Sequence, residues 1–121
     1  MQSQDSKARV IVADGIGHGP AAAEASTAAV EVFDAPGSPV EVMERAHERL
    51  RPTRGAAAAV VGLGAPAGAL SIAGVGNVAG RVVSGVEDRS LMCQSGTLGA
   101  QTRRLTELVY PWPEHAFLIL H

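Results

Sequence analysis

The chain has 121 residues, 46% hydrophobic and 18% charged but only 3% aromatic, enough for one core of closely packed small aliphatic side chains and not for two. Its formal net charge is −2 and its arginines are scattered among carboxylates, which excludes the basic stripe of a nucleic-acid binder. The lone Cys93 excludes an internal disulfide, and no apolar run approaches the roughly 20 residues that span a bilayer, so a single cytoplasmic domain over residues 1–121 is expected.

Taken in chain order, "ARVIVA" (8–13) is a short apolar run rich in β-branched residues and predicts a buried strand that ends on Asp14-Gly15. After Gly19 and Pro20, "AAAEASTAAVEVF" is built of helix formers, with proline where a first helical turn tolerates it. "DAPGSP" ends that pattern. From Pro39 to Leu50, Val40, Met43, Ala46, His47 and Leu50 recur at helical spacing and predict a second helix. From Gly55 the texture becomes strand-like: "AAAAVVGL", "GALSIAGV", "NVAGRVVSG" and "RSLMCQ", punctuated by "GAPAG" and Gly85, followed by "LTELVY" and "AFLILH" around "PWPEH". This half reads as an antiparallel meander, and the whole as α+β with helices stacked on sheet. The last strand is still apolar at His121, from which a domain cut short is expected.

"VADGIGHGPAAAEAS" (12–26) carries the chemistry. A glycine-rich turn between strand and helix suggests a cradle for phosphate, since free N–H groups and the helix dipole favour anions. The dinucleotide pattern fails, because the third glycine position holds Pro20, and no Lys-Ser or Lys-Thr completes a P-loop. A phosphate on this turn also faces Asp14, and like charges repel. Two readings remain: the carboxylate seats a divalent cation that in turn grips the phosphate, with Gly15 turning its carbonyl to the same ion, or Asp14 caps the helix.

Five blocks, "VIVADGIGHGPAAAEAS", "PTRGAAAAVVGL", "LSIAGVGNVAGRVV", "SGTLGAQTRR" and "VYPWPEHAFLILH", resemble in this order the SpoIIE-type branch of the metal-dependent, 2C-like protein phosphatases. The resemblance implies an α/β sandwich of antiparallel sheets packed with helices, present here as a partial domain. It also implies hydrolysis of phosphoserine or phosphothreonine in a regulatory protein, of the kind that antagonises anti-sigma factors in stress-response signalling. Two Mn²⁺ or Mg²⁺ ions serve such a site; Asp14 falls on the aspartate that bridges both, and Gly15 on the glycine whose carbonyl binds one. The ions lower the pKa of a bridging water, which attacks phosphorus in line.

Such phosphatases also carry an acidic residue on a preceding strand, a role not carried over to Asp5, and a Ser-Asp-Gly motif after the segment matched by "LILH". The expectation is an enzyme completed in a longer parent, this chain alone binding metal poorly and being inactive. The alternative is a catalytically silent module that binds a phosphoprotein or regulator.

Arg54 is expected either to bind the substrate phosphate or to pair with Glu48. Ile16 stands where some relatives have a histidine, so His18 is expected to bond locally, and His47 and His115 to be structural or solvated. Gly74, Gly76 and Asn77 predict a tight turn with close backbone approach, Cys93 a buried small hydrophobe, and Trp112 an anchor of the last hairpin. The alanine face of residues 21–29 predicts close helix packing, with self-association through an open sheet edge as a further possibility.

Overall fold

A computed structural model describes residues 8–17, 19–32, 36–64, 67–85 and 87–121. Strand β1 (Ala8–Gly15) leads into helices α1 (Gly19–Glu31) and α2 (Pro39–Leu50), followed by β2 (Ala56–Leu63), β3 (Ala69–Val75), β4 (Gly80–Val83), β5 (Asp88–Leu91), β6 (Leu108–Pro111) and β7 (Phe117–Leu120). Among the described residues seven antiparallel strands form two sheets, one ordered β1-β2-β3-β6 and the other β5-β4-β7. The expected meander is corrected here. Within the half from β2 onward, only β2–β3 and β4–β5 pair with their sequence neighbours, and the chain crosses between sheets after β3, β5 and β6.

The reason lies in burial on two faces. In β2, Ala56, Ala58 and Val60 belong to a cluster with Ala25, Ala29, Val42, Met43, Ala46 and Leu50 of the helices. Ala57, Ala59 and Val61 alternate with them and face Val82 and Leu91 of the second sheet. A strand apolar at every position must lie between two layers, and its alanines let those layers approach. The order is therefore helices, first sheet, second sheet.

Helix α2 starts in a capping box: the Ser38 N–H donates to Glu41 Oε1 at 2.8 Å, and the Glu41 N–H to Ser38 Oγ at 3.4 Å. A third acceptor comes from across the fold, where Glu107 Oε1 takes the Val40 N–H at 3.0 Å. Between β5 and β6 the chain runs irregularly, yet it is anchored: Leu98 is fully buried and exchanges both backbone bonds with Ala56. Gly99 abuts Leu50 and donates its N–H to His47 Nδ1 at 2.8 Å, so His47 has the structural role expected of it. His115 is exposed at φ 57°, in the turn between β6 and β7. Trp112 is half-buried between the sheets beside Leu118 and Leu120. No helix among the described residues is long and apolar enough to cross a membrane.

Candidate active site

β1 carries Asp14 and Gly15 to one end of the first sheet, opposite Ala57 and Ala56 at the start of β2. Ala56 spends its N–H and carbonyl on Leu98, so Gly15↔Ala56 is a pair that exchanges no ladder bonds. Both backbone groups of Gly15 thus point away from β2. Its N–H donates to Ser26 Oγ of α1 at 2.7 Å, and its carbonyl is left outside the ladder. Gly15 is buried against the helix, and a Cβ there would stand 1.9 Å from the Ala22 carbonyl oxygen. Only glycine permits this approach.

The Asp14 side chain is exposed, and among the described residues no hydrogen bond or ion pair engages its carboxylate. The helix-cap reading therefore finds no bond in the described residues; Ser26, from within α1, meets the amide that follows. The Ile16 N–H donates to the Gly55 carbonyl at 3.0 Å, which holds the turn against the loop before β2. Gly17 then turns at φ 90°, a conformation that favours glycine, and its missing Cβ would lie 2.9 Å from Arg54 Nη1. Asp14 and Arg54, forty residues apart, are brought to the same loop cluster.

Arg54 does not pair with Glu48. That carboxylate holds Arg51 at 3.1 Å, and among the described residues Arg54 is exposed and joins no ion pair. His18 and Asp5 lie outside the described residues. Gly76 closes the same end of the sheet at φ 96°, where a Cβ would meet that of Ala57 at 2.6 Å, and Asn77 is exposed beside it. Gly74 admits the Cys93 Sγ, which would sit 2.3 Å from a Cβ. Cys93 is half-buried, and burial raises its thiol pKa, as fits a packed hydrophobe and not a nucleophile.

An exposed carboxylate and a carbonyl outside the ladder are hard oxygen donors of the class that suits Mg²⁺ or Mn²⁺. Among the described residues no group of three or more His, Cys, Asp or Glu converges to complete a metal site. Sequence reasoning missed Ser26 and Gln94. Ser26 was within reach of it, since Ala22 and Ser26 stand one helical turn apart on the face that meets Gly15.

No protein-family model matches the sequence, and no curated protein matches it. Solved structures do. One, described under the bacterial stressosome as a modular system adapted to control secondary messenger signalling, is 30% identical over 94% of this chain and 61% of its own, with a TM-score of 0.82. RsbX, crystallised in complex with magnesium, is 25% identical over 94% of this chain and 59% of its own, TM-score 0.80. The fold is that of the 2C-like phosphatases. A Stage II Sporulation E family protein from Thermanaerovibrio acidaminovorans shares it at 20% identity, covering 94% of this chain and 74% of its own, TM-score 0.74. The α+β sandwich expected from the sequence is thus found. The chain spans about three fifths of the length of the first two of these structures, 61% and 59%.

Proposed function

We propose that this chain is part of a metal-dependent protein-serine/threonine phosphatase domain that acts on a phosphorylated regulatory protein, of the type that antagonises anti-sigma factors. The observation that supports this reading is an Asp14 carboxylate without a partner among the described residues, on a turn that also abuts an Arg54 guanidinium in no ion pair among them, in a 2C-like fold. Asp14 and the Gly15 carbonyl would hold Mn²⁺ or Mg²⁺. Such an ion, when bound, supplies Lewis acidity and activates water toward phosphorus. Arg54 offers planar, bidentate donors to phosphoryl oxygens and orients the group over the turn. Ser26 and Ala22 fix the Gly15 backbone, so Asp14 is presented from a rigid strand end.

A second reading has its own support. With no third carboxylate, histidine or cysteine converging among the described residues, the chain would serve as a silent module that binds a phosphoprotein without turning it over. Assayed on the full-length protein and not on residues 1–121 alone, Mn²⁺-dependent hydrolysis of p-nitrophenyl phosphate, lost in Asp14→Asn, is the outcome expected of the first reading. Binding of a phosphoserine peptide with no turnover at any Mn²⁺ concentration selects the second. Neither turnover nor peptide binding contradicts both.

A further inference from the structure

The arginines of this chain divide by location. Arg49, Arg51, Arg81 and Arg89 are paired with Glu31, Glu48, Asp88 and Glu87. Arg45 lies near enough to Glu41 to help lower its pKa, and Arg9 donates to the Gly37 carbonyl at 3.2 Å. Arg54, Arg103 and Arg104 are exposed and join no ion pair among the described residues. All three belong to the loop end of the first sheet.

A chain of contacts fixes that location. Asp14 pairs with Ala57 across β1 and β2; Gly76 packs on Ala57; and the Gly76 N–H donates to the Gln94 carbonyl at 2.8 Å. Three strand spacings, about 14 Å, separate Asp14 from Gln94. The Gln94 side chain then ties down the loop beyond it. Its Nε2 donates to Thr102 Oγ1 at 3.4 Å and to the carbonyls of Arg103 and Arg104 at 3.5 and 3.3 Å, while its Oε1 accepts the Thr106 N–H at 3.2 Å. Two adjacent guanidiniums are carried on an irregular segment whose backbone is nonetheless held.

We infer that Arg103 and Arg104, positioned by Gln94, form a docking site for an acidic stretch of the phosphoprotein, beside the turn that receives its phosphate. This rests on the function proposed above. The separation from Asp14 corresponds to about four extended residues, so the carboxylates it selects stand about four positions or more from the phosphoserine. Exposed unpaired charges steer and select partners, and their contribution falls with salt.

The test is fluorescence anisotropy with three labelled peptides: a phosphoserine peptide with a Glu tract at that spacing, the same peptide with Gln for Glu, and the acidic peptide without phosphate. The double variant Arg103→Gln/Arg104→Gln is expected to weaken the acidic phosphopeptide about tenfold and flatten its salt dependence, leaving the Gln peptide unchanged. Gln94→Ala keeps both charges, so affinity falls while the salt dependence stays. The unphosphorylated acidic peptide separates the two proposals: its loss in the double variant supports docking even where Asp14→Asn shows no role in phosphate chemistry. Unchanged affinity for the acidic phosphopeptide in the double variant, equal loss for the Gln peptide, or binding of phosphatidylglycerol vesicles in place of peptide overturns the inference.

Discussion

A methyl group added at Gly15 would stand 1.9 Å from the Ala22 carbonyl oxygen, a backbone atom that cannot swing aside. Gly15→Ala must therefore push α1 off β1, displacing Ser26 from the amide it holds. A loss of about 3 kcal/mol is expected, read as a lowered urea midpoint. Gly85→Ala is the matched control, since a Cβ there meets nothing within 4 Å; equal effects in the two variants contradict the close approach. The Asp-Gly pair was legible in the sequence because strand, glycine turn and helix follow one another. The reason for the glycine was not: the carbonyl it avoids belongs to the next element, and no local pattern records how near two elements lie. Arg54 was legible as a candidate, whereas the fate of its rival partner depended on which of Arg51 and Arg54 reached Glu48 first.

Among the elements, α2 was fully legible. Its apolar positions recur at helical spacing, and Ser38, Pro39 and Glu41 spell the capping signature. The Ser38 N–H and hydroxyl bonds hold the Glu41 carboxyl below the usual glutamate value. A depressed carboxyl pKa contributes stability that is present above the unfolded-state value and is lost as pH falls through the folded one. Ser38→Ala is expected to cost about 1 kcal/mol at neutral pH while keeping the backbone bond to Glu41, and Glu41→Gln to remove this acid sensitivity, measured by urea unfolding across the carboxylate range. A Glu41→Gln variant whose pH profile superimposes on the wild type contradicts the assignment. β2 was equally clear, since eight consecutive apolar residues had to be buried on both faces. The predicted strands over 89–94 and 105–110 shorten to Asp88–Leu91 and Leu108–Pro111. Residues 94, 96, 98 and 102 engage in single bridges, which leave no periodicity to read.

At the scale of the molecule, the segment between β5 and β6 joins the layers. Leu98 is fully buried against the helix-side core, Ala56 meets both its backbone groups, and Gly99 rests on Leu50 and His47. Leu98→Ala is expected to cost about 2–5 kcal/mol, read by urea unfolding; a neutral substitution contradicts a buried anchor. The two-sheet arrangement was not derivable from strand order, because crossing between sheets leaves no mark in local composition; it was implied by the ordered blocks that resemble the 2C-like phosphatases. The central claim remains that the acidic side chain of residue 14 seats a divalent ion. Paramagnetic broadening of backbone amide signals during Mn²⁺ titration tests it most directly. Expected is broadening centred on Asp14, Gly15 and Gly17 and extending to Arg54, abolished in Asp14→Asn with the fold intact. Broadening centred elsewhere, or unchanged in that variant, would contradict it.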